Sequence, residues 1–212
     1  PQDEPLENIL DVGSGKGASA FVLAEHSSAK VYAIDLHQPF VDHIFAEAEK
    51  KGLDDQIKPM NMSMADLAFE NQKFDLIWSE GSAYNMGFEN ALEYWHSFIR
   101  KNGWIFISEA VWTTDNPDKA LKEYWLEEYP DIKDVKTRET QAVRMGYEIV
   151  DSFLLPRQDW VAFYEDVENS LNQLACQKED SPVLEEFRKE VEINRKYGDQ
   201  YSYLCLMLQR RD

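Results

Sequence analysis

Apolar residues in this chain fall into two rhythms. Short apolar-rich runs at 9–12, 30–35, 57–62, 74–79, 104–111, 147–155 and 201–209 predict strands, and the even apolar filling of 104–111 suggests burial on both faces there. Between them lie segments with helical spacing. Phe40, Ile44 and Ala48 mark one such stripe, closed by Gly52; Ala91, Leu92, Trp95 and Ile99 mark another, closed by Asn102-Gly103. The spacing predicts helices over 18–25, 40–51, 88–100, 117–129, 133–145, 160–178 and 182–196.

Strand and helix alternate, which predicts a doubly wound, Rossmann-like α/β sheet. Seven strands are expected, mostly parallel, with the last antiparallel. Between the sixth and seventh there is room for a crossover only in the helical stretch 157–199. The expected organisation is one domain over 1–212, with that stretch as an insertion. No internal repeat, low-complexity tract or linker interrupts it. The chain begins at Pro1, without an initiator Met and a few residues ahead of the first strand. Either residues precede it in the natural protein or the domain starts abruptly.

Composition narrows the class. A hydrophobic fraction of 43% and an aromatic fraction of 13% are those of a packed globular chain. No apolar run approaches the roughly 18 residues of a membrane span. Cys176 and Cys205 make neither a disulfide framework nor a metal site, so a reducing, cytoplasmic setting is the default. Four scattered histidines, His26, His37, His43 and His96, form no zinc pattern. The formal net charge of −18 argues against nucleic-acid partners and anionic membrane surfaces. A neutral or cationic small-molecule acceptor fits it better. Oligomeric state is not encoded in these features.

Chemistry gathers where the first strand meets the first helix, at Leu10-Asp-Val-Gly-Ser-Gly-Lys-Gly17. Gly13, Gly15 and Gly17 on alternate positions let backbone bend tightly and approach a ligand. A turn at a helix N-terminus also presents unpaired N–H groups. A dinucleotide site wants G-x-G-x-x-G, but here the pattern is D-x-G-x-G-x-G, with Asp11 ahead of the first glycine. An acid there gains nothing from a pyrophosphate and suits a ligand bearing ammonium and sulfonium groups. Asp35 ends the second strand, 18 residues past Gly17, where an acid can accept hydrogen bonds from both ribose hydroxyls. Leu36 then lies against a base. Alternatively Asp35 simply neighbours the N-cap of the next helix. A second polar concentration, Ser79, Glu80, Tyr84 and Asn85, follows the fourth strand beside the crevice of the sheet.

The 10–17 segment resembles motif I of class I S-adenosylmethionine (SAM)-dependent methyltransferases. Phe74-Asp-Leu-Ile-Trp-Ser-Glu-Gly-Ser-Ala-Tyr-Asn-Met-Gly-Phe88 resembles a signature of their type-11 group, as does the tail Arg195–Tyr203. The resemblance implies SAM as cofactor, S-adenosylhomocysteine as product and a small-molecule acceptor. It implies cofactor contacts at Asp11, Gly13, Ser14, Gly15, Gly17, Asp35, Leu36, Met64, Ala65, Asp66, Ser79 and Glu80, with Asp66 bonding the adenine amino group. Asp66 can equally be a solvated loop acid. The family usually adds N-terminal helices that help close the site. For catalysis, Glu80 is the candidate base or amine partner, and Tyr84 and Asn85 the candidate orienting groups. Glu80 can instead cap the next turn or touch the methionine end of SAM. A SAM-binding sensor without turnover and a nicotinamide oxidoreductase stand as the alternatives.

Overall fold

The computed structural model describes residues 5–175 and 182–211. Pro1, Cys176 and the predicted helix end at Lys178 lie outside these residues. The strands are β1 (Asn8–Val12), β2 (Lys30–Asp35), β3 (Ile57–Asn61), β4 (Phe74–Ser79), β5 (Ile99–Trp112), β6 (Lys133–Asp134), β7 (Tyr147–Leu154) and β8 (Tyr201–Arg210). The helices are α1 (Ala18–Glu25), α2 (Gln38–Lys51), α3 (Phe88–His96), α4 (Lys119–Glu128), α5 (Val135–Arg144), α6 (Arg157–Ala175) and α7 (Pro182–Tyr197).

Seven strands run in the order β3-β2-β1-β4-β5-β8-β7, and β6 pairs with β5 off this path. β1 through β5 pair in parallel, with antiparallel C-terminal strands. The order reverses between β1 and β4, which leaves a crevice at their carboxyl ends.

The chain folds as two compact units. One holds residues up to Glu109, Thr137–Ser152 and the segment from Cys205; the other holds Ala110–Lys136 and Phe153–Leu204. In the first, Ile9, Val31, Ala33, Leu76 and Phe106 of the sheet pack with Ala20 and Ala24 of α1 and Ile44 and Ala48 of α2. Asp75, at the start of β4, anchors the beginning of β1. Its Oδ2 accepts from the N–H groups of Glu7 and Asn8 at 2.8 Å, and its Oδ1 accepts from Arg100 Nε. The second unit packs aromatic side chains: Trp160 stacks on Tyr164, and Trp125 meets Tyr201 edge to face.

Two predicted boundaries need correction. The helix expected over 88–100 ends at His96, because Ile99 already belongs to β5 and pairs with Phe74. The next pair on that ladder is Leu76 with Trp104, so an advance of two residues on β4 faces five on β5. Asn102, at φ +58°, and Gly103 sit in the resulting bulge rather than at a helix end. Lys133 and Asp134, expected to open a helix, form β6 against Val111 and Trp112, and α5 starts at Val135. α2 behaves as read: Pro39 lies in its first turn, and Gly52, at φ +67°, donates its N–H to Ala48 and Glu49 carbonyls.

Candidate functional site

The glycine turn is stitched to the end of β2. Gly13 and Ser14 N–H groups both donate to the Ile34 carbonyl, at 2.9 and 3.0 Å, and Gly15 N–H donates to Asp35 Oδ2 at 2.9 Å. Asp35 Oδ1 accepts from His37 N–H at 2.8 Å. A carboxylate has about four acceptor positions, so each Asp35 oxygen retains capacity toward a ligand.

The three glycines do different work. All have positive φ: +69° at Gly13, +53° at Gly15 and +86° at Gly17. A Cβ on Gly13 would lie 2.5 Å from Ser82 Cβ, and one on Gly17 would lie 2.8 Å from Ile44 Cγ1. Those two are required by the protein's own packing. A Cβ on Gly15 would meet no protein atom within 4 Å, so of the three only Gly15 has open space where a side chain would project.

That open space belongs to a cavity of about 560 Å³. Of the residues singled out in the sequence, Gly13, Gly15, Asp35, Leu36, Met64, Ala65, Tyr84 and Asn85 line it. Asp11, Ser14, Gly17, Asp66, Ser79 and Glu80 do not. Sequence reasoning missed Ile34, Phe40, Met62, Ser63, Gly81, Ser82 and Met86, which also line it. Phe40 was legible only as part of an apolar helix stripe. Met62 and Ser63 flank the segment already under suspicion, and Ser82 and Met86 lie inside the second polar concentration.

The supporting contacts explain why these segments converge. Ser82 Oγ donates to the Val12 carbonyl at 2.7 Å and shares a 2.9 Å hydrogen bond with Ser79 Oγ, so buried Ser79 holds the wall from behind. Gly81 N–H donates to Ser108 Oγ at 2.8 Å. Across the cavity, Trp95 Nε1 donates to the Met64 carbonyl at 3.0 Å, and Asn61 Nδ2 to the Leu36 carbonyl at 2.9 Å. Asp66 is exposed and places its N–H on the Ser63 carbonyl. Tyr84 is exposed and its neighbour Asn85 donates to the Ser82 carbonyl.

Two carboxylates lie outside the lining. Glu80 Oε2 accepts from Ser19 Oγ at 2.9 Å and from Trp78 Nε1 at 3.3 Å. Asp11 is 2% exposed, and its Oδ2 has no hydrogen-bond partner among the described residues. Burial, reinforced by the negative charge of Glu80, pushes the Asp11 carboxyl up to about 7. Burial likewise pushes the Cys205 thiol up to about 11, which makes it a poor nucleophile. Among the described residues no group of three or more His, Cys, Asp or Glu is placed to hold a metal ion, and no helix is long and apolar enough to cross a membrane.

The lining has groups that fit the nucleoside end of a ligand: Asp35 and Gly15 border the cavity between apolar side chains, while Asp11, which precedes the turn, does not line it. Comparison with known proteins points the same way. Residues 9–103 match the family model of a methyltransferase domain. A sarcosine/dimethylglycine N-methyltransferase of Aphanothece halophytica is 27% identical over 115 residues, which is 54% of this chain and 42% of that relative. A geranyl diphosphate 2-C-methyltransferase of Saccharopolyspora erythraea is 30% identical over 79 residues, 37% of this chain and 28% of its own. The matches thus span less than half the length of these curated relatives. Among solved structures, a SAM-dependent methyltransferase from Geobacter sulfurreducens in complex with S-adenosylhomocysteine superposes with a TM-score of 0.84. It is 20% identical and covers 98% of this chain and 86% of its own. The [4+2]-cyclase SpnF superposes at 0.82 with 20% identity, covering 99% of this chain and 76% of its own.

Proposed function

We propose that the chain, whose residues 9–103 match a methyltransferase domain, is a class I SAM-dependent methyltransferase that transfers the methyl group of SAM to a small-molecule acceptor, releasing S-adenosylhomocysteine. One observation carries the reading: Gly15, the motif glycine with open space where a side chain would project, donates to the acid that ends β2, and both line one cavity.

Bound in that cavity, SAM supplies a sulfonium methyl already activated for displacement. What remains for the protein is alignment, which can lower a barrier by roughly 7–11 kcal/mol in well-oriented systems. In this reading Asp35 accepts the ribose hydroxyls with the lone pairs that Gly15 and His37 leave free. Leu36, Phe40, Met62, Met64 and Ala65 supply apolar contact for the adenine. Ser14, Gly17 and Ser79 hold the turn and wall in place. Asp66, which does not line the cavity, keeps a role at the adenine edge. Asp11 faces the ammonium end, and Tyr84 and Asn85 orient the acceptor. Glu80, tied to Ser19 and Trp78, acts on the charge balance around Asp11. Named activities of relatives, on sarcosine/dimethylglycine and on geranyl diphosphate, support an acceptor of small-molecule size.

The test is turnover. The protein is incubated with SAM and panels of amines, thiols, phenols and alkenes, and S-adenosylhomocysteine is followed by mass spectrometry. The proposal expects product that requires both enzyme and one acceptor class, with a methylated acceptor formed in equal amount. A protein that binds NADH and not S-adenosylhomocysteine contradicts it.

A further inference from the structure

The loop that joins β3 to β4 supplies four consecutive residues of the cavity lining, Met62, Ser63, Met64 and Ala65. Inside the loop the hydrogen bonds are local: Ala65 N–H donates to Ser63 Oγ and Asp66 N–H to the Ser63 carbonyl. At its start, Met62 N–H donates to the Asp35 carbonyl at 3.2 Å. Beyond that point the loop is held by two consecutive side chains of α3. Trp95, fully buried, donates its indole N–H to the Met64 carbonyl at 3.0 Å, and the Tyr94 hydroxyl accepts from the Leu67 N–H at 2.9 Å.

α3 is itself well fixed. Phe88, Ala91 and Leu92 are buried with Trp95. The Tyr147 hydroxyl donates to the Leu92 carbonyl at 2.9 Å, and Arg210 donates to the His96 carbonyl at 3.1 Å. The Trp95 bond therefore runs from a rigid helix to the backbone of a residue that lines the cavity. Trp95 does not line the cavity itself, so any effect it has on a ligand passes through Met64 and its neighbours.

We infer that Trp95, supported by Tyr94, is a positioning residue that presets the 62–65 wall before the nucleoside end of the ligand arrives. This rests on the reading of the cavity as a SAM site. A loop whose own bonds are local has other placements open to it, and two bonds from a fixed helix select one. With both bonds in place, nearly every molecule is competent to bind. Without one of them a share of molecules has the wall displaced, and the apparent affinity falls with the competent fraction. The loss belongs to association, because a seated ligand holds the wall by its own contacts.

The experiment compares Trp95→Phe and Tyr94→Phe with the wild type, as full chains, by titration calorimetry and stopped-flow binding of S-adenosylhomocysteine. Trp95→Phe keeps a ring in the buried position and removes the donor; Tyr94→Phe removes only the accepting hydroxyl. Each variant is expected to bind about three- to tenfold more weakly, the fold-change that one net hydrogen bond is worth. The association rate falls by that factor and the dissociation rate stays the same, which a loss of general stability would not produce. Thermal melting checks that each variant is folded at the temperature of measurement, and Tyr94→Phe decides the matter should Trp95→Phe fail to fold. Unchanged affinity in folded Trp95→Phe, or in Tyr94→Phe where it stands alone, overturns this inference alone, as does a loss carried by dissociation. No binding of S-adenosylhomocysteine to the wild type overturns the SAM reading with it.

Discussion

A single methyl group separates the roles of neighbouring glycines. Ala at position 17 must fit against Ile44 at 2.8 Å with φ near +86°, so Gly17→Ala should cost about 1–3 kcal/mol of stability. Ala at position 15 meets no protein atom and suffers only the backbone strain, about 1–2 kcal/mol, but its methyl projects where a ligand would lie. Gly15→Ala should thus lose S-adenosylhomocysteine affinity by tenfold or more for a modest fall in melting temperature, and Gly17→Ala should show the stability loss. Calorimetry and thermal melts on both variants check this; equal behaviour would remove the distinction. The sequence showed three glycines on alternate positions but could not separate them, because what differs is the neighbour brought in by the fold. Ile44 comes from α2 and Ser82 from beyond β4, each distant in sequence. Asp35 was legible because its place depends only on where a β-branched run stops. The orphaned oxygen of Asp11 was not, since it depends on which donors the packed structure withholds.

Elements were legible wherever one rhythm ran unbroken. β1, β2, β4 and α2 read cleanly, since β-branched runs and a single stripe leave no competing period. The junction of α3 and β5 did not. Asn102-Gly103 carries the left-handed preference that ends helices, and the same preference builds bulges in strands. Only the pairing of Ile99 with Phe74 decides between them, and pairing is a long-range fact. Since Asn102 sits at φ +58°, Asn102→Ala should destabilise by about 1 kcal/mol, and Asn102→Gly should be neutral or slightly stabilising. Denaturant midpoints for the two variants check this, and identical values would remove the bulge conformation from the account. At β6 the two residues Lys133 and Asp134 are too few to show a period at all, so they read as the start of the helix that follows them.

At the scale of the molecule, the family match ends at Gly103, before the second unit begins at Ala110. The stretch that matches the family model holds the glycine turn, Asp35 and the residues that line the cavity. The chain's remaining length, with the aromatic packing of Trp160, Tyr164 and Tyr201, lies beyond that family match. This division explains why a cofactor class could be read and an acceptor could not. A methyltransferase-like sheet is shared with a cyclase as well, so the fold by itself leaves the reaction open. If the cavity binds SAM through Asp35, titration calorimetry with S-adenosylhomocysteine, with NAD and NADP as controls, should show saturable, micromolar binding of S-adenosylhomocysteine alone, weakened by about 1.5–3 kcal/mol in Asp35→Ala. Binding of NAD in its place, or an affinity unchanged in Asp35→Ala, would contradict that reading.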